Sequence, residues 1–224
     1  MRERGPAPFV TWLSPAGRIE LSRVTFANAV SKAGNFLVDG LELEEESSLN
    51  VNLGNHWQSP VWLATALSVG IELSDQSTTL VSYSNAITSW TGPNDQLIVV
   101  SPDPFGMPEK DLPAGFINGS AEVRNFGDYF APSWKNNGSV LSFKGTSYSW
   151  EELLEASDSQ RIANDIESGN RVGLFGDFDL LQAVIFQVVI PVINGISVVL
   201  IDQENPDFTK IAEQEKIIKF VSLA

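Results

Sequence analysis

Cysteine is absent from the 224 residues, and histidine occurs once. Without cysteine there are no disulfides, thiolate nucleophiles or cysteine-ligated metals, and a single histidine excludes a metal site rich in imidazole. Basic residues are scarce: 14 stand against 28 acidic ones, a net charge of −14. Such a surface repels nucleic acid and anionic lipid wherever it is not locally reversed, so neither is an expected partner. Long apolar runs are missing too. The most apolar stretch, AVIFQVVIPVI at 183–193, is too short to span a bilayer and is broken by Gln187 and Pro191. Behind the arginines of MRERGPAPFVTW no apolar signal core follows, and a cytoplasmic protein is the expectation.

What the chain does have is a large apolar share, 43%, enough to bury the core of one large α/β domain or two small lobes. Laid against itself at an offset of 122 residues, it repeats an order of elements. GRIELS reads as a strand or hairpin arm, Thr25 as the cap of a helix through TFANAVSKAGNFLVDG, LELEEESS as a solvated turn, and LNVNLG as a buried strand. In the second copy SVLSFKG is the strand, Ser147 or Ser149 caps SWEELLEAS, and RVGLFG is the buried strand. Both copies continue through a polar loop into an apolar helix, SPVWLATALSVG and DLLQAVIFQVVIPVING. TTLVSYS, QLIVVS and GISVVLID add strands, and FTKIAEQEKIIKFVS reads as a closing amphipathic helix. The pattern predicts an α/β fold of mostly parallel sheets in two pseudo-symmetric lobes covered by helices. The lobes are placed at residues 1–100 and 140–224. Residues 101–139, dense in proline, glycine and aromatics, read as an ordered crossover whose rings pack on the surface.

Ligands in open α/β sheets bind at the carboxyl ends of strands, which singles out two loops. The first holds Gly54, Asn55, His56, Trp57 and Gln58. His56 can exchange a proton near neutral pH, or it can cap or stack on Trp57, while Gln58 and Ser59 can cap the next helix. In the second, GDFDLLQ, Asp177 and Asp179 are alternate carboxylates of the kind that bind Mg²⁺. With no third oxygen ligand nearby, Asp177 as a helix N-cap with Asp179 in the first turn is the preferred reading. No metal site, cofactor or catalytic residue is expected.

GRIELSRVTFANAVSKAGNFLVDGLELEEESSLNVNLGNHWQSPVWLATALSVG resembles the opening of acyl-CoA synthetases, members of the AMP-binding, adenylate-forming superfamily. More narrowly, HWQ at 56–58 and the SPDPFG…DLPAGF…AEVRNFGDYFAP block are similar to a small, uncharacterised bacterial family related to the N-terminal part of those enzymes. The resemblance implies the synthetase fold for nearly the whole chain. It also implies where ATP phosphates would sit, in a run of Tyr/Phe-Thr-Ser-Gly-Thr-Thr-Gly-x-Pro-Lys-Gly. The corresponding place, 141–152, reads LSFKGTSYSWEE, so that Lys144, Gly145, Thr146 and Ser147 are a vestige of that loop, with Glu151 and Glu152 close behind. The family's later elements would lie beyond residue 224. A noncatalytic relative that binds a small molecule or a protein is therefore expected, its oligomeric state open. The alternatives are a ligase component completed by a partner chain and a small-molecule sensor of acyl groups or nucleotides.

Overall fold

The computed structural model describes residue 5 and residues 7–89, 96–132, 134, 136, 138–204 and 206–223. Strand β1 (Pro8–Ser14) turns through Pro15 and Ala16 into antiparallel β2 (Gly17–Ser22), and α1 (Arg23–Asn35) follows. Its cap is Ser22, not Thr25: the Ser22 hydroxyl accepts the Thr25 amide at 3.1 Å, because Arg23 and Val24 already occupy the first helical positions. Then come β3 (Ser48–Val51), α2 (Gln58–Val69), β4 (Glu72–Ser74), β5 (Thr79–Ser82), β6 (Gln96–Val99), β7 (Ile117–Asn118) and a short α3 (Gly119–Glu122). The second half opens with a hairpin, β8 (Leu141–Phe143) and β9 (Thr146–Tyr148), followed by α4 (Trp150–Ala163) and β10 (Arg171–Gly176). It ends with α5 (Leu180–Ala183), α6 (Ile190–Asn194), β11 (Ser197–Ile201), α7 (Phe208–Glu215) and β12 (Lys219–Leu223). Among the described residues no helix is long and apolar enough to cross a membrane.

The strands form two mostly parallel sheets, ordered β12-β10-β11-β1-β2 and β7-β6-β5-β3-β4-β8-β9. The internal repeat is visible in this order. Within the second sheet, β5-β3-β4 followed by the hairpin β8-β9 corresponds to β12-β10-β11 followed by the hairpin β1-β2 in the first. Each sheet is therefore closed by the hairpin that belongs, in sequence, to the other copy. β1 pairs in parallel with β11, Val10 opposite Val198 and Leu13 opposite Ile201, while β8 pairs in parallel with β4. The expected division at 1–100 and 140–224 is corrected accordingly. One compact unit comprises Met1–Ala27, Gly54–Pro60 and Glu151–Ala224, the other Asn28–Leu53 and Val61–Trp150. The physical reason lies in the helices that follow the hairpins: α1 and α4, of 13 and 14 residues, each lead from a hairpin to a strand of the other sheet.

Two further expectations change. The C-terminal stretch is not one helix: Lys216, at φ 56, ends α7 in the left-handed conformation, and KFVSL joins the sheet beside β10. In the 101–139 crossover, Phe126 packs on Phe36 with ring centroids 5.7 Å apart, and the Phe130 ring lies against Gly34. Phe105 and Tyr129, however, are 76% and 73% exposed, so the segment does not bury all its rings.

In unit one, Glu215 at the end of α7 knits the sheet together. Its carboxylate accepts Arg18 Nε at 2.6 Å and Arg171 Nη2 at 2.7 Å, and Arg171 also donates to Thr11 Oγ1 at 2.8 Å. The Arg18 hydrogen bond, helped by Arg171, holds the Glu215 carboxyl below the usual glutamate range despite its burial. A carboxylate with a depressed pKa contributes stability that is complete above the ordinary glutamate value and is lost as pH falls through the lowered one. Glu215→Gln should therefore cost about 1.5–3 kcal/mol at neutral pH, a gap that narrows in urea melts as pH falls below the ordinary glutamate range. A pH-independent difference would contradict this.

Between α5 and α6 the helix widens into a π turn, Val184–Val189. Pro191 lacks the N–H that would bond the Gln187 carbonyl in an α-helix, and the widened turn precedes it. The Gln187 side chain is fully buried, and neither amide atom makes a hydrogen bond. Orphaned buried amides are costly. Gln187→Met, which keeps the length and removes the polar atoms, should stabilise the protein by about 1–3 kcal/mol in denaturant titrations, whereas a loss would show that the amide is satisfied.

Candidate functional site

Both loops singled out by their sequence lie in unit one, at the carboxyl edge of its sheet. Asn55 ties them together: its Nδ2 donates to the Gly176 carbonyl at the end of β10, at 2.8 Å. Its Oδ1 is closed off from solvent and accepts no hydrogen bond. Gly54, at φ 55, turns the chain into the loop in a conformation that favours glycine.

His56 does not face solvent. It is 4% exposed and packs edge-on against Trp12 of β1, ring centroids 4.4 Å apart, with Trp57 on its other side at 5.6 Å. The imidazole Nδ1 accepts the Gln58 backbone N–H at 3.3 Å, which places the proton of the neutral ring on Nε2. His56 thus acts as the side-chain cap of α2, while Gln58 and Ser59, both buried, occupy its first turn. Trp57 is half-exposed, and with Gly54 and Asn55 it forms the accessible part of the loop.

In the second loop the capping role moves by two residues. Asp179, not Asp177, caps α5, its Oδ1 accepting the Gln182 amide at 3.0 Å while Gln182 Oε1 accepts the Asp179 amide at 3.1 Å. Asp177 is exposed. Among the described residues no three His, Cys, Asp or Glu side chains converge as a metal site requires. Asp202, just past β11, adds a carboxylate whose significance its sequence hid. Burial raises its pKa above the ordinary aspartate value, an effect partly offset by the nearby Trp12 indole. Its backbone N–H bonds the Leu13 carbonyl at 2.8 Å, which places it on the same edge.

Lys144, Gly145, Thr146 and Ser147 lie in unit two, the first two forming the turn of the β8–β9 hairpin and the last two opening β9. Lys144 and Gly145, at φ 49 and 79, are the two left-handed residues of a tight hairpin connection. The Lys144 backbone N–H donates to Asp75 Oδ2 at 3.0 Å, and its ammonium lies over the Phe143 ring, 4.6 Å from the centroid. The Ser147 hydroxyl meets Ser142 Oγ at 2.8 Å, and Ser142 in turn donates to Glu72 Oε1 at 2.6 Å. Sequence reasoning also passed over a hollow of about 580 Å³ in unit two, bounded by Phe36, Phe116 and Phe126. The ring-rich crossover was the only trace of it.

Comparison with known proteins decides the family. A TIGR03089 family protein of Mycobacterium tuberculosis (strain ATCC 25618 / H37Rv) is 31% identical over 176 residues, 74% of this chain and 70% of the relative. The chain belongs to the TIGR03089 family. No family model matches it. The crystal structure of a Brucella canis acyl-CoA synthetase is similar over 97% of this chain with a TM-score of 0.80, at 13% identity. This member of the family therefore has the synthetase fold, mixed α/β with two mostly parallel sheets, and spans 45% of that synthetase's length.

His56→Ala should cost about 2–4 kcal/mol in urea melts, since it removes a buried ring and a helix cap, while half-exposed Trp57→Ala should cost less. Equal costs, or a neutral His56→Ala, would contradict the placement of His56 in the core.

Proposed function

We propose that the chain is a noncatalytic relative of the adenylate-forming acyl-CoA synthetases, a binding or interaction protein that has kept the scaffold without adenylation. The observation that carries this reading is the Lys144–Gly145 turn. Adenylation needs donors and positive charge where the phosphates develop charge in transit. Here the Lys144 N–H is already taken by Asp75, and the hydroxyls of Ser142 and Ser147 close onto Glu72. An arriving triphosphate would meet two carboxylates beside a turn of two residues.

The ligand surface we propose is the carboxyl edge of the unit-one sheet, where Asn55 and Trp57 meet Asp177 across the Asn55–Gly176 hydrogen bond. Its half-exposed indole and the neutral, amide-bearing loop around it suit an uncharged molecule or a protein segment. With a net charge of −14, nucleic acid and polyphosphates are disfavoured there.

ATP–pyrophosphate exchange with a panel of carboxylic acids tests the noncatalytic reading. Exchange should not rise above the enzyme-free background. Exchange that depends on Lys144 would overturn it.

A further inference from the structure

We propose that the hollow in unit two, between the end of α1 and residues 109–126, binds a small organic cation with an apolar body. The site lies apart from the unit-one loops and goes beyond the function proposed above. At about 580 Å³ the hollow has the size of a small-molecule site. Phe36 and Phe126 form one wall, their rings tilted by 58° with centroids 5.7 Å apart, and Phe116 adds a third ring. Gly40 makes that wall possible. A Cβ there would sit 2.8 Å from Phe126 Cζ and 3.0 Å from the Phe36 ring, so any side chain would push the rings out of place.

Charge selects the ligand. Glu109 and Glu122 line the hollow against one cation, Lys110. An adjoining hollow of about 440 Å³ shares Glu109, Lys110, Leu112 and Pro113 and adds Asp103 and Asp111, so the two together present four carboxylates and one ammonium. The faces of phenyl rings carry negative potential as well, so rings and carboxylates favour the same sign of guest. Two nearby side chains direct donors to backbone carbonyls rather than toward a guest. Asn118 donates its Nδ2 to the Glu109 carbonyl at 2.8 Å, and Arg124 donates to the Gly106 carbonyl at 2.9 Å. A carboxylate or phosphate ligand would find one lysine and two like charges. An alkylammonium or aromatic ammonium finds three aromatic residues and two counter-charges.

NMR titration of the full chain with benzyltrimethylammonium chloride, against benzyl alcohol and sodium phenylacetate at matched ionic strength, tests the proposal. The cation should bind saturably and the carboxylate should not, with the neutral alcohol weaker than the cation by about five-fold or more. Glu122→Gln, an exposed position whose change leaves the packing intact, should weaken the cation several-fold, and Lys110→Gln should tighten it. Gly40→Ala should abolish binding, provided circular dichroism shows the variant folded. No saturation by the cation, equal or tighter binding of phenylacetate, or an affinity indifferent to Glu122→Gln would each overturn the assignment. None of these outcomes bears on pyrophosphate exchange, so the two readings fail separately.

Discussion

The parallel pairing of β1 with β11 is the constraint on which the first unit depends. It joins residues near position 10 to residues near position 198 and inserts an N-terminal hairpin into a sheet whose other strands come from the C-terminal half. Everything at that sheet's carboxyl edge follows from it. Trp12 reaches His56 because β1 lies beside β11, and Asp202 meets Leu13 because the register of the two strands puts their ends level. The matching pairing of β8 with β4 completes the second sheet in the same way. The helices α1 and α4 lead the chain from each hairpin to a strand of the other sheet.

That exchange also explains which parts of the structure were legible in the amino-acid sequence. Strands such as GISVVLID and RVGLFG announce themselves as apolar runs, because a strand covered on both faces needs no polar alternation. The repeat was visible because it orders local patterns. Which hairpin closes which sheet was not, since pairing partners separated by nearly the whole chain leave no local trace. The same limit hid the C-terminal strand: EKIIKFVS carries helical periodicity through Ile217, and only the left-handed Lys216 and the vacant edge of β10 turn Lys219–Leu223 into a strand.

For the candidate loops, sequence reasoning placed the backbone and left open how the side chains are covered. Placing Gly54–Gln58 and Asp177–Asp179 at strand ends needed only topology, and both loops do meet in unit one. Whether a histidine in a polar loop faces water depends on what covers it, and Trp12 covers His56 from another strand. Capping likewise turned on two residues of register: Asp179 rather than Asp177 stands where the first helical amides point. At Lys144–Gly145 the reading was chemical from the start, because a lysine and glycine without the remaining glycines cannot surround phosphates. The hairpin adds that Asp75 and Glu72 hold the donors that remain.

The noncatalytic reading we propose rests on a two-residue turn closed onto carboxylates standing where a phosphate-binding loop would be expected. Calorimetric titration of the intact chain with MgATP tests it most directly, because it reads binding whether or not chemistry follows. The account predicts no saturable heat, and none gained when Asp75→Asn frees the Lys144 amide, since one donor does not make a cradle. Saturable one-to-one binding that weakens in Lys144→Ala would contradict it.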